Sequence, residues 1–177
     1  MMEACREMTL RVLVVFSLLL LSLPSFAQDK LCGPATAKDG DDLLIAGNDI
    51  RLHGIDAFEA NQTCIRDGKV WACGEAARRK LQELVAGGQV CCERMQESKT
   101  RGRVVMRCML GQKDVGREMV RAGLALDCPR HSGERYKADE AAAKAEKAGA
   151  WAGTFQAPWS WKGQAYCCTG YRREFCP

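Results

Sequence analysis

The sequence has no Cys-x-x-Cys pair and only two histidines, His53 and His131, in 177 residues. Zinc frameworks draw their ligands from such pairs and from histidine, so the composition argues against a structural zinc core. After one apolar run near the start, no second long apolar run follows, which excludes a membrane-spanning helix in the rest of the chain. Internal repeats and low-complexity linkers are absent, so nothing divides the chain into an array or into several domains. Neither sign of charge dominates. A formal net charge of +4 suits a protein that tolerates polyanions without being a strong nucleic-acid clamp.

What is present begins with a leader. Residues 10–23 carry a basic residue and then an apolar core, and Pro24-Ser25-Phe26-Ala27 offers small residues for cleavage before Gln28. The pattern predicts a secretory signal peptide over residues 1–27, with Met8 as a candidate start. No lipid-attachment cysteine stands at the cleavage point. An exported, periplasmic or secreted chain of one domain follows. Ten of the eleven cysteines lie after the leader. An even count in an exported chain reads as disulfides. Spacing alone leaves the connectivity open, but Cys64–Cys73 and Cys92–Cys108 are the pairs best placed to form.

The stretch Ile50 to Glu59 carries the chemistry. Asp39-Gly40-Asp41-Asp42 lies just upstream, and two apolar runs flank Gly47-Asn48. This predicts a tight hairpin with Gly47 and Asn48 as its loop. Ile45 then faces Ile50 and Leu43 faces Leu52 on one apolar face, while Leu44 faces Arg51 and Asp42 faces His53 on the other. That register brings Asp41 and Asp56 to within roughly 7–8 Å at one end, with Glu59 close behind. Two like charges about 4 Å apart repel by about 4 kcal/mol at an effective dielectric of about 20. Either one carboxylate is protonated or a hard cation sits among them, and an all-oxygen set suits Ca²⁺ or Mg²⁺. Arg51 beside them suits a phosphate. Taken alone, the acidic run reads more readily as an Asx-rich turn, and Glu59 as a solvated loop residue.

Further along, Asn61 to Ala72 reads as a polar loop and Gly74 to Ala86 as a helix stopped by Gly87-Gly88. Strands are expected over Gln89–Met95 and Val104–Leu110, joined by the basic turn Lys99 to Arg103. Asp114 caps a helix to Ala122, and Ser132 caps a longer alanine-rich helix ended by Gly149. Trp151, Phe155, Trp159 and Trp161 pack back on the core, and residues 162–177 form a cysteine-rich tail holding Arg172-Arg173. His53 is a strand residue near Asp42. The order predicts an α+β fold: a five-stranded, partly open β-barrel with about three flanking helices.

Five pieces, in order, resemble the staphylococcal nuclease (thermonuclease) family. They are Asp39-Gly40-Asp41, Arg51-Leu52-x-Gly54-Ile55-Asp56-Ala57-x-Glu59, Gly102-Arg103, Val120-Arg121-Ala122-Gly123-Leu124-Ala125 and Gly149-x-Trp151. The resemblance spans about Ala35 to Trp161. It implies an OB-fold barrel with flanking helices over residues 28–161, and Ca²⁺-dependent, sugar-nonspecific hydrolysis of DNA and RNA at accessible strands, by a monomer. By position it implies Asp41, Asp56 and the carbonyl of Ala57 as calcium ligands, Glu59 as general base, and Arg51 and Arg103 on the phosphate. Four positions depart from the pattern. Asp42 replaces a threonine, Arg101 a tyrosine and Cys128 an aromatic residue, and Phe58 replaces a proline, loosening the loop that aims Glu59. Two other classes stay open: a nuclease-like module that binds nucleic acid or another anionic polymer without cutting it, and a structural protein of the cell envelope.

Overall fold

The computed structural model describes residues 30–100, 103–164 and 167, with the backbone alone for 96–100. The expected leader, the turn residues Arg101 and Gly102, Cys168, Cys176 and Arg172-Arg173 lie outside the described residues. The strands are β1 (Lys30–Gly33), β2 (Ala35–Ala37), β3 (Asp42–Ile45), β4 (Asn48–Leu52), β5 (Ile55–Ala57), β6 (Cys64–Arg66), β7 (Lys69–Trp71), β8 (Val90–Thr100), β9 (Arg103–Leu110), β10 (Lys113–Asp114) and β11 (Ala125–Asp127). The helices are α1 (Cys73–Val85), α2 (Val115–Arg121), α3 (Pro129–Ser132), α4 (Lys137–Ala145) and α5 (Pro158–Trp161), with a 3₁₀ turn at Gly149–Ala152.

The expected α+β class, with helices beside a multi-stranded sheet and disulfides within it, is what the chain forms. The main sheet runs β1-β8-β9-β4-β3-β2, with β10 on β9, and among the described residues this path does not close on itself. Strands β4 and β9 pair in parallel, which places Arg51 of one beside Val105 of the other. Small pairs β5–β11 and β6–β7 complete the strands.

The β3–β4 hairpin forms, but its register differs from the expected one. Asp42 pairs with Arg51, Leu43 with Ile50 and Ile45 with Asn48. The turn residues are Ala46 and Gly47, both with positive φ (48° and 78°), the geometry of a type I′ hairpin. Asn48 closes the turn through its side chain, donating to the carbonyls of Ala46 and Ile45. Because the shift changes the pairing by two positions, each side chain keeps its face. Its consequence is chemical: Asp42 lies beside Arg51, and His53 falls in the turn after β4.

The same chemistry explains a missed element. Asn61 to Ala72 is not a plain loop, because Asp67 (φ 51°) and Gly68 (φ 71°) turn β6 into β7. The alanine-rich helix is also shorter than expected. Ser132 lies in α3, Gly133 (φ 61°) ends that element, and α4 begins only at Lys137. By contrast α2 starts where its cap predicts, with Asp114 Oδ1 accepting from the Arg117 N–H at 3.2 Å.

Leu43, Ile45, Ile50, Leu52, Phe58, Leu81 and Met119 are buried in the main core. A second cluster gathers Leu126, Cys128, Ala157, Trp159 and Cys167 under α5. Trp159 is fully buried, whereas Trp161 stays partly exposed. Cys64–Cys73 and Cys92–Cys108 form as expected, joined by Cys32–Cys91 and Cys128–Cys167. Cys32 faces Cys91 across β1–β8, and Cys92 faces Cys108 across β8–β9. Neighbouring strand residues point to opposite faces, so the adjacent Cys91 and Cys92 lace three strands from both sides. The four disulfides among the described residues suit an oxidising compartment. Among the described residues no helix is long and apolar enough to cross a membrane.

Candidate functional site

Every side chain expected at the site lies at one end of the β3–β4 hairpin. Alternation along β4 buries Ile50 and Leu52 and turns Arg51 outward. Arg51 Nη1 donates to Asp41 Oδ1 at 2.7 Å, and Nη2 lies 2.7 Å from Asp41 Oδ2. Nη2 also donates to Asp56 Oδ1 at 2.6 Å. Asp41 is 2% exposed and Asp56 fully buried, so one guanidinium fork joins two buried carboxylates. The N–H of Ala57 donates to Asp41 Oδ2 at 2.9 Å, which fixes β5 against the start of β3.

Arg103 opens β9 and pairs with Asp42. Asp42, standing where the family pattern has threonine, is thus the counter-ion of one expected phosphate-binding arginine. Glu59 follows β5 and is joined to Asp56 by a residue that sequence reasoning left in the tail. Lys162 Nζ donates to Asp56 Oδ1 at 2.9 Å and to Glu59 Oε1 at 2.6 Å. Four carboxylates (Asp41, Asp42, Asp56 and Glu59) therefore meet three cations (Arg51, Arg103 and Lys162). Asp42, Arg51, Glu59, Arg103 and Lys162 line a cleft of about 750 Å³ that Arg130, His131 and Arg135 also line.

The loop that aims Glu59 is not loosened by Phe58. That ring is fully buried and meets Phe155 edge-on with centroids 5.2 Å apart, so burial does the restraining that proline would do through φ. Gln62, also fully buried, is a second fastener. Its Oε1 accepts from the Glu59 N–H at 3.1 Å and its Nε2 donates to the Gln156 carbonyl at 2.7 Å. Nothing in the local pattern marks Gln62, because its partner Gln156 is 94 residues away. Gln62→Leu takes the side-chain partner from two backbone groups, the Glu59 N–H and the Gln156 carbonyl, and unfastens the loop. It is expected to lower hydrolysis about tenfold, an order of magnitude that follows from small misplacements at a reacting centre, while Glu59→Gln/Gln62→Leu shows no further loss in steady-state assays.

Burial shows in the acids themselves. Burial pushes the carboxyl of Asp56 upward against the opposing pull of Lys162 and Arg51. Burial and the neighbouring Asp41 raise Asp42. Burial raises Asp39 from 3.8 to about 6, although its Oδ1 accepts from the Gly40 N–H. A carboxyl raised on folding contributes stability that is full below its unfolded value and lost as pH climbs through its folded value. In EDTA, wild type should therefore lose stability relative to Asp39→Asn between about pH 4 and pH 6, the gap staying constant above that window. Paired thermal melts across this range check the sign.

The donor chemistry suits a hard cation. The ligands on offer are oxygens, three acids are raised by burial, and Asp42 Oδ1 is buried with no hydrogen-bond partner. Among the described residues no group of three or more His, Cys, Asp or Glu is arranged to hold a metal ion. The expected set, two carboxylates and the Ala57 carbonyl, is smaller than such a group.

Comparison with known proteins adds a family to this geometry. Residues 49–153 match the staphylococcal nuclease homologue family. The chain is 29% identical over 140 residues to the succinoglycan biosynthesis protein ExoI of Rhizobium meliloti (strain 1021), covering 77% of this chain and 73% of that protein. It is 32% identical over 125 residues to the probable endonuclease LCL3 of Phaeosphaeria nodorum (strain SN15), covering 62% of this chain and 40% of that protein.

Proposed function

The chain belongs to the staphylococcal nuclease homologue family, and on that premise we propose that it is an exported, calcium-dependent, sugar-nonspecific nuclease that hydrolyses phosphodiester bonds in accessible strands of DNA and RNA. The observation that carries this reading is the meeting of Arg51, Arg103 and Glu59 on one cleft, above the buried pair Asp41 and Asp56. The proposed nuclease domain is residues 28–161, acting as a monomer. Residues 1–27 direct export, and the cysteine-rich segment 162–177 follows the domain, with Lys162 reaching its site and Cys167 bonded to Cys128.

Each residue then has a task. Glu59 takes the proton of the attacking water. Arg51 and Arg103 are guanidiniums, whose fixed forks match two phosphate oxygens at once. They neutralise charge that grows on the phosphorus oxygens, where preorganised donors act most strongly. Asp41, Asp56 and the Ala57 carbonyl would hold Ca²⁺, which when bound supplies a further positive charge to the phosphate. Arg130 and Arg135, which line the same cleft, attract the strand without reading its bases. By family resemblance the products carry 3′-phosphate ends.

Digestion of end-labelled DNA and RNA oligonucleotides in calcium tests this. Ladders from both sugars, ending in 3′-phosphate, are expected. Retention of both polymers by the folded protein in a gel shift, with no ladder from either, would instead identify a binding module for nucleic acid or another anionic polymer. That second reading is favoured by one feature: Arg51 and Arg103 are already engaged by carboxylates.

A further inference from the structure

Lys162 lies outside the segment matched to the family, residues 49–153, yet its ammonium sits between two acids of the proposed site. Its place is built. Pro158 starts α5 and Trp159 plugs the second core cluster beside Cys128 and Cys167. Trp161 Nε1 donates to Asn61 Oδ1 at 3.3 Å, on the loop that follows Glu59. The Lys162 N–H donates to the Pro158 carbonyl, and the Gln164 N–H to that of Trp159. The Cys128–Cys167 disulfide closes the loop that contains α5. The Lys162 side chain is only 16% exposed. Holding a lysine stem in one place costs rotamer entropy, and a casual surface contact rarely recovers that.

We propose that Lys162 is a tethered competitor for the cation: its ammonium holds Asp56 and Glu59 together in the cation-free protein, and cation binding requires it to withdraw. The proposal rests on the preceding assignment of Asp56 to the cation and Glu59 to the water. Nζ stands 2.9 Å from Asp56 Oδ1 and 2.6 Å from Glu59 Oε1. Calcium takes its oxygens at about 2.3–2.6 Å, so an ammonium and a divalent ion cannot share the same side of Asp56. The contact also engages Glu59 Oε1, so that oxygen becomes available to the water only when the lysine leaves. α5 and the disulfide-closed loop thereby make readiness for catalysis depend on the cation.

Calorimetric titration of the oxidised protein with calcium chloride, without nucleic acid, tests this independently of activity. Wild type is compared with Lys162→Met, Lys162→Arg and Arg135→Met, each first shown to be folded by circular dichroism. Arg135 lines the same cleft, so its loss controls for through-space charge. Lys162→Met is expected to bind calcium at least tenfold more tightly than wild type, Lys162→Arg within threefold and Arg135→Met within twofold. Equal or weaker binding by Lys162→Met, with wild type binding calcium, would overturn the competitor role and leave the cation site standing. An equal gain in Arg135→Met would overturn it too, as a general charge effect. No calcium uptake by any folded variant would remove the cation site itself, and the proposal with it.

Discussion

Glu59→Gln is expected to slow phosphodiester hydrolysis by about a thousandfold, within the range general-base groups supply, while the fold stays intact. The amide has nearly the shape of the carboxylate and its oxygen can still accept from Lys162, so the loop keeps its contacts. What disappears is the ability to take a proton. Glu59 is suited to the task by position: 25% exposed and lining the cleft, it stands beside the buried pair without being part of it. Its backbone is fixed by Gln62 and its loop by the buried Phe58. Single-turnover rates, with melting curves for both proteins, measure the effect. A loss below about tenfold would assign the proton to another group.

The two arginines are expected to separate in a second experiment. Arg51→Met and Arg103→Met should each lose about a hundredfold or more in rate, as removal of one preorganised donor commonly does. Only Arg51→Met should also lose much stability. Arg51 holds Asp41 and Asp56, both buried, and breaking a buried pair by removing one partner costs about 3–5 kcal/mol. Arg103 holds Asp42, which is nearer solvent, so its loss costs less. Adding calcium should restore part of the lost melting temperature of Arg51→Met, because a cation bound only by the folded state stabilises it by mass action. Equal melting temperatures for the two variants would contradict the central role given to the Arg51 fork.

Much of this was legible locally. The β3–β4 hairpin follows from two apolar runs around a turn, and α2 from the Asp114 cap. Both expected disulfides form, because β8 and β9 bring Cys92 opposite Cys108 and a short loop joins Cys64 to Cys73. What escaped depends on register or on distance along the chain. The turn uses Ala46 with Gly47 rather than Gly47 with Asn48, and that choice decides whether Arg51 or His53 sits by Asp42. Cys32–Cys91 requires knowing that β1 pairs with β8. Gln62 acts through Gln156, and Lys162 reaches Asp56 from 106 residues away. No periodicity or spacing signals such contacts, since they arise only when the second core cluster packs α5 against β5. Two pieces of the family pattern, Gly123-Leu124 and Gly149-x-Trp151, prove to be neighbours: the Ala150 N–H donates to the Gly123 carbonyl at 3.0 Å. Both glycines have positive φ, and a Cβ at Gly123 would lie 2.1 Å from the Ala148 oxygen, so the pattern there records a close backbone contact and not chemistry.

The most direct measurement is the initial rate at which the oxidised protein, from Gln28 onward, hydrolyses heat-denatured DNA in calcium and in EDTA, beside Glu59→Gln under both conditions. Cutting by wild type in calcium, abolished in EDTA and reduced about a thousandfold in the variant, is the predicted result. A folded wild type that binds the strands and leaves them whole in calcium would contradict it.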